Sequence, residues 1–272
     1  MTSKVVLITG ASSGIGRETV AYFSNKGWNV AATMRNPEQE VALTRLPNVK
    51  LFKLDVTSTE SVTEAVKAIT THYQNIDVLV NNAGFGLVGA FEGATEEQIH
   101  KQFETNVFGL MRLTKAVLPT FRAQKSGRII NVSSIAGRMA FPIYSLYNSS
   151  KFAVEGFSEA LSYELKPFNI KVKLIEPGPI KTNFNSSSKI DTATASLPEY
   201  KLYEDKANNF YNTNFERAEE PFVVAKAIYK AATTRCNKLR YPVGIQAKAF
   251  TLLTKLIPRS CFRAITGKLT QI

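Results

Sequence analysis

Cysteine is almost missing from this chain: Cys236 and Cys261 are the only two. A pair of cysteines builds no disulfide framework, so small cross-linked secreted scaffolds are excluded and a reducing compartment is the better match. Histidine is equally scarce. His72 and His100 fall within helical patterns and read as surface residues, and no His/Cys/Asp cluster has metal-ligand spacing, so no metal is expected. No apolar run is long enough to span a bilayer. No basic-then-apolar leader with a small-residue cleavage site follows Met1, so no secretory signal is expected and a cytoplasmic location is. Acidic residues are absent from Pro221 to Ile272, where ten Lys or Arg residues stand against no Asp or Glu. That block carries most of the net charge of +12 and leaves the rest of the chain close to neutral. It is either a solvated face or a surface for an anionic membrane or acidic partner, which gives the protein a membrane-peripheral alternative. Neither zinc-ligand spacing nor interleaved basic and aromatic residues accompany it, so nucleic acid is not an expected partner.

What is present is a chain of 272 residues, 44% hydrophobic and 21% charged, enough for one large α/β domain with a sizeable core. Strand and helix signals alternate. Short β-branched runs at Lys4 to Thr9, Trp28 to Met34, Val49 to Leu54, Ile76 to Val80, Arg128 to Val132 and Ile170 to Ile175 read as buried parallel strands. Between them, helical patterns cover Ile15 to Lys26 (with Gly27 as its stop), Ser58 to Tyr73 (with Ser58 as N-cap), one long helix from Glu96 to Arg122, and Tyr147 to Lys166. Strands joined through right-handed helical crossovers predict a single-domain, doubly wound parallel sheet with helices on both faces, a Rossmann fold whose ligand sits at the carboxyl ends of the strands. After Pro177 the pattern stops. Asn183 to Glu220 is polar with scattered aromatics (Tyr200, Tyr203, Phe210, Tyr211, Phe215) and is expected to form a mobile substrate lid. A helix from Pro221 to Ala232 and a last strand at Tyr241 to Val243 open the basic C-terminal region.

The first strand runs into Thr9-Gly10-Ala11-Ser12-Ser13-Gly14-Ile15-Gly16. Such a turn lets backbone approach a pyrophosphate, and the helix that follows aims its free N–H groups at the phosphates. It is neither GxGxxG nor a Walker A loop, since no Lys-Ser/Thr follows. A dinucleotide site for NAD needs an acid at the end of the second strand. That place holds Met34, followed by Arg35, which can pair with a 2′-phosphate. Ser12 and Ser13 add hydroxyls. The expected cofactor is NADP(H) rather than NAD(H).

Taken together, these features resemble the short-chain dehydrogenase/reductase family. The glycine turn matches its TGxxxGxG, Asn81-Asn82-Ala83-Gly84 its NNAG, and Tyr147-Asn-Ser-Ser-Lys151 its YxxxK. Ser134 precedes Tyr147 at the family's spacing, Asn106 lies where the family has its fourth catalytic residue, and Pro177-Gly178 follows the sixth strand. The match spans about Lys4 to Thr182. Residue by residue, the resemblance implies Asn106, Ser134, Tyr147 and Lys151 as the catalytic set. It implies Gly10, Ser12, Ser13, Gly14, Ile15 and Gly16 around the phosphates, with Arg35 at the adenosine end. Asp55 and Val56 fall on the adenine, and Asn82, Ala83 and Gly84 on the ribose, with Asn81 supporting the sheet. Pro177, Gly178, Ile180 and Thr182 fall near the nicotinamide. Met34-Arg35 and Arg240-Tyr-Pro-Val-Gly244 are similar to the branch of 17β-hydroxysteroid and retinol dehydrogenases.

The implied activity interconverts a carbonyl and a secondary or primary alcohol by hydride transfer. Hydride arrival leaves charge on the carbonyl oxygen, which must be protonated as it forms. Tyrosine titrates near ~10, too high for efficient exchange at neutral pH. A lysine one helical turn away, Lys151, is expected to lower that value and hold the nicotinamide ribose. Ser134 would polarise the substrate oxygen and Asn106 would fix a water. Tyr144 and Ser133 neighbour the motif residues, but Tyr144 has Asn148 four residues on and Ser133 is one residue out of spacing. Two alternatives stay open: a non-catalytic dinucleotide sensor on the same fold, and a membrane-surface protein using the amphipathic segment Ala247 to Ile257. That segment reads equally as a cover for the substrate pocket or a subunit contact. The lid aromatics suggest a lipophilic substrate. A homodimer or homotetramer is the expected assembly.

Overall fold

Strands that are apolar at every position must be covered on both faces, and the first strand, β1 (Val5–Thr9), is buried throughout. The computed structural model describes residues 3–182, 189–192, 194, 197–215, 217–258, 260–261, 264 and 267–268. Around β1 it assembles β2 (Asn29–Met34), β3 (Val49–Lys53), β4 (Val78–Asn81), β6 (Gly127–Val132), β7 (Ile170–Pro177) and β9 (Arg240–Val243) into a seven-stranded sheet of order β3-β2-β1-β4-β6-β7-β9. Every pairing in it is parallel. The order reverses between β1 and β4, which opens a crevice at their carboxyl ends.

The period of two along β1 sorts the layers. Val6 and Ile8 join the cluster built by α1 (Gly14–Asn25) and α7 (Pro221–Thr233) through Val20, Phe23, Val224 and Ile228. Leu7 points to the opposite face. There it meets Val62 and Ile69 of α2 (Thr59–Tyr73), Leu113 and Phe121 of α4 (Gly109–Gln124), and Leu161 of α5 (Ser145–Glu164). Local signals end the helices as anticipated. Ser58 accepts from the Ser61 backbone N–H at 3.1 Å, and Gly27 adopts φ +75° just past α1. No helix among the described residues is long and apolar enough to cross a membrane.

Three expectations are corrected. The single helix expected over Glu96 to Arg122 is divided: α3 (Glu96–Phe103) passes through a π turn at Glu104–Phe108 before α4 begins. Asn106 sits in that turn, and its amide brackets the Phe85 backbone, accepting from its N–H at 3.0 Å and donating to its carbonyl at 2.8 Å. The extra residue of the π turn accommodates this inward side chain.

The second correction concerns the expected irregular lid. Its described part holds β8 (Lys189–Asp191), paired in parallel with β5 (Gly86–Val88), and α6 (Lys201–Phe215). Residues 183–188 of the expected lid lie outside the described residues. Tyr203, Ala207 and Tyr211 recur every four residues and pack with Val88 and Ile143, while Glu204 accepts from the Ala90 N–H at 2.7 Å and the Thr194 hydroxyl at 2.8 Å. Apolar packing and these bonds hold α6 on the body of the protein.

Third, the final strand starts one residue earlier, at Arg240, and leads through Gly244 into α8 (Ile245–Leu256).

Candidate active site

The glycine turn owes its shape to close approaches that only glycine permits. Gly10 has φ +63°, and a Cβ there would stand 3.0 Å from the Ala83 Cα. A Cβ on Gly16 would overlap the Gly10 carbonyl oxygen and stand 2.7 Å from the Asn82 amide nitrogen. Thr9 ties the two loops of the crevice together: its Oγ1 accepts from the Asn82 and Ala83 N–H groups at 2.9 and 3.0 Å. The Asn82 amide returns bonds to the Thr9 and Gly10 carbonyls at 2.9 and 3.3 Å. Asn81 turns inward, donating to Thr114 at 3.0 Å and to Asn131 at 2.9 Å, and supports the sheet as expected. Ser13 caps α1 in extended conformation, and no acidic residue stands in the first turn, so the positive end of the helix faces the crevice without a competing carboxylate.

A cavity of about 740 Å³ extends from this turn. Gly10, Ser12, Ser13, Gly14, Ile15, Arg35, Asp55, Val56, Asn82, Ala83, Gly84, Ser134, Tyr147, Lys151, Pro177, Gly178, Ile180 and Thr182 all line it. Arg35 is exposed at one end, while Tyr147 and Lys151 lie within. Gly16 and Asn106 are not on its wall. Gly16 acts through close packing of the turn against α1. Asn106 is spent on Phe85 and on the Ser150 hydroxyl at 3.2 Å, and Ser150 in turn donates to the Tyr147 carbonyl at 2.8 Å. Asn106 thereby braces the π turn against the helical turn that carries Tyr147.

β6 ends beside this brace. The Ser134 Oγ accepts from the Ala136 N–H at 3.1 Å and is hydrogen-bonded to the Tyr147 hydroxyl. Lys151 lies one turn along α5 from Tyr147, as the spacing requires. Its ammonium donates to the Val132 carbonyl at 2.9 Å and stands 5.7 Å from the centre of the Tyr147 ring. Burial, rather than the lysine, sets the direction for the tyrosine here. Burial pushes the Tyr147 phenol up to about 12, with the Ser134 hydrogen bond pulling the other way. Burial also pushes Lys151 down to about 8, opposed by the charge of Glu155. A low-dielectric wall disfavours phenolate and ammonium alike, and each charge, when present, favours the other.

Sequence reasoning passed over Phe85, Phe141 and Gln246 and set Tyr144 aside, while Phe250 lies in the segment read as a pocket cover; all five line the cavity with Phe210, Tyr211 and Phe215 of α6. Tyr144 meets Tyr211 edge-on with centroids 5.0 Å apart, and Phe141 meets Phe250 of α8 at 6.2 Å. The Tyr211 hydroxyl donates to the Pro142 carbonyl at 3.0 Å. These residues come from segments far apart in the chain, so no local period marks them.

A doubly wound sheet with a glycine turn at its switch point and a Ser-Tyr-Lys group in the same cavity defines a dinucleotide-type oxidoreductase site. The family model described as short chain dehydrogenase matches residues 4–193, and the chain belongs to this family of oxidoreductases. It is similar to the 3-ketodihydrosphingosine reductase of Bacteroides thetaiotaomicron, 44% identical over 200 residues that cover 74% of this chain and 72% of the relative. Among solved structures, a short-chain dehydrogenase from Streptomyces avermitilis superposes with a TM-score of 0.82 at 34% identity, covering 99% of this chain and 96% of that one. ElxO with NADP bound superposes at 0.73 and 31% identity, covering 88% and 94%.

Proposed function

We propose that this protein is an NADP(H)-dependent carbonyl reductase or alcohol dehydrogenase for a lipophilic substrate, with Tyr147 as the general acid and base. The observation that carries the proposal is convergence: Ser134, Tyr147 and Lys151 line the same cavity as the glycine turn and Arg35. The residues fit the cofactor. A helix N-terminus free of acids, glycines that leave no room for a side chain in the turn, and a guanidinium at the rim suit a pyrophosphate and a 2′-phosphate. NADP in ElxO supports the same choice.

When bound, the nicotinamide supplies the hydride for the carbonyl carbon. The chain's own residues handle the oxygen. Ser134 donates a hydrogen bond to it, and the Tyr147 Oη delivers the proton as negative charge develops. Lys151, held by the Val132 carbonyl, stabilises the phenolate left behind. In the oxidative direction the same atoms take the proton back. The aromatic wall from α6 and α8 suits a long apolar carbonyl compound, and the resemblance to a 3-ketodihydrosphingosine reductase favours a long-chain ketone. The steroid and retinoid branch implies the same chemical class.

A screen of carbonyl compounds following NADPH oxidation tests this, with Tyr147→Phe as control. The variant should lose at least about a hundredfold in rate while still binding NADPH; activity that survives the substitution rejects the mechanism. Tight NADPH binding with no turnover of any carbonyl would instead support the sensor alternative, which the intact Tyr147 and Lys151 disfavour.

A membrane contact is favoured by one further observation. α8 turns Gln246 and Phe250 to the cavity, yet its outer face exposes Ile245 (76%), Leu252 (60%) and Leu256 (71%) within the block that lacks acids. Co-sedimentation with phosphatidylserine vesicles at low salt should retain the protein, and its absence would leave the stripe to a homodimer or homotetramer contact.

A further inference from the structure

Directly behind Lys151 lies a group of charges that the proton transfer above does not use. Glu155 follows Lys151 by one turn of α5 and is 5% exposed; Glu176, the penultimate residue of β7, is 1% exposed. A single nitrogen, Nε of Arg240, reaches both carboxyl groups, at 2.9 and 3.4 Å, so the two share one small buried space. Two full negative charges buried this close together repel, and a proton on one of them relieves the repulsion.

The cations around the pair give the same answer. Arg240 of β9 places Nε 2.9 Å from Glu155 and 3.4 Å from Glu176, and its NH2 lies 2.8 Å from Glu159. Arg138, from the turn after Ser134, approaches Glu176 at 3.5 Å. From β6, Ser133 faces Glu155, and on α5 itself Lys151 feels the Glu155 charge. One Nε–H cannot bond two buried carboxylates in full, which favours a proton on one of them.

We propose that Glu155 and Glu176 share one proton and act as positioning residues that keep the Lys151 ammonium charged and directed at Tyr147. The inference rests on the catalytic role proposed for Lys151. A second negative charge in this space would be expensive to bury, whereas the single shared charge, one turn from Lys151, offsets the burial that otherwise drives the lysine toward neutrality. The pair thereby sets how far upward in pH Lys151 keeps its proton. Loss of the shared proton falls near neutrality, since burial and the Glu155 charge push Glu176 up to about 7.

Three isosteric variants and two readouts test this. Glu155→Gln removes the charge beside Lys151, so the alkaline limb of the kcat/KM profile should move at least half a pH unit downward while KM for NADPH changes less than twofold. Glu176→Gln fixes the neutral partner in place and should remove one ionisation from the profile near pH 7. Glu159→Gln, on the exposed side of Arg240, should leave the profile unmoved and serves as control. The second readout needs no turnover. Infrared difference spectroscopy of wild type against Glu176→Gln at pH 6 should reveal the carbonyl stretch of a buried protonated carboxyl group. Presence of that band with a shifted profile supports the proposal. Its absence, or unchanged profiles in folded Glu155→Gln and Glu176→Gln, overturns it. Because the band is read without substrate, a missing enzymatic activity would refute the proposed function and leave the shared proton separately decided.

Discussion

Arg35 carries the choice between the two dinucleotides, and its replacement can be worked through. It stands exposed after Met34, the last residue of β2, on the rim of the cavity. Two unit charges 4 Å apart attract by about 4 kcal/mol at an effective dielectric of ~20. Solvent exposure takes much of that away, and a hydrogen bond to a charged group nets about 1.5–3 kcal/mol. For a side chain as open as this, the lower half of that range applies. Arg35→Ala should therefore weaken NADPH about 10- to 30-fold, while NADH, which has no 2′-phosphate, keeps its affinity within about twofold. Arg35→Lys retains the charge but not the planar fork and should fall between. Titration of cofactor fluorescence at 20 and 300 mM salt gives both constants. The wild-type preference for NADPH should narrow at the higher salt, because the Debye length shrinks below about 10 Å. Equal weakening of NADPH and NADH, or no change in either, would refute the assignment of Arg35 to the 2′-phosphate.

Gly16→Ala should lower the melting temperature and weaken both dinucleotides together, because the new methyl overlaps the Gly10 carbonyl; overpacking of this kind costs about 1–3 kcal/mol, read from denaturant midpoints. Asn106→Ala orphans the Phe85 N–H and carbonyl and should destabilise by about 2–4 kcal/mol, with a fall in kcat that tracks the displaced Phe85 wall. Glu176→Gln should become more stable relative to wild type as pH rises from 5 to 8 in thermal melts. Glu176 titrates at about 7 when folded against an ordinary 4.5, so its stabilising contribution is complete below 4.5 and lost as pH rises through 7. Glutamine has no such loss, and a constant difference across that range would contradict the shift.

The sheet was legible because burial on both faces forces unbroken apolar runs, and Lys4 to Thr9 or Ile170 to Ile175 admit little else. The cofactor motifs were legible for a different reason: Gly10 and Gly16 are fixed by backbone contact, which leaves a residue-type signature in the sequence. Asn106 was found by resemblance, but its contacts were not, since a π turn has no pattern of its own and a side chain bracketing Phe85 is set by tertiary packing. α6 was hidden by composition. Tyr203, Ala207 and Tyr211 do keep a four-residue period, yet Lys, Glu, Asp and Asn crowd the positions between them. The cluster at Glu155 and Glu176 was beyond reach. Its members come from α5, β7, β9 and the turn at Arg138, and within β7 Glu176 looks like the polar end of an apolar strand.

Placement of β9 beside β7 bears on where this protein can be divided. The family model matches residues 4–193, so a fragment cut there would keep the glycine turn, Asn81-Asn82-Ala83-Gly84 and the Ser-Tyr-Lys group. It would not keep Arg240, which crosses from the far end of the chain to face Glu155, Glu159 and Glu176. Such a fragment would bare the outer edge of β7 and leave three carboxyl groups with Arg138 as their remaining guanidinium. The stretch that the family model matches and the stretch that is self-sufficient are thus different. The two pieces would have to be supplied together, as complementing halves, before either could be asked to bind a dinucleotide.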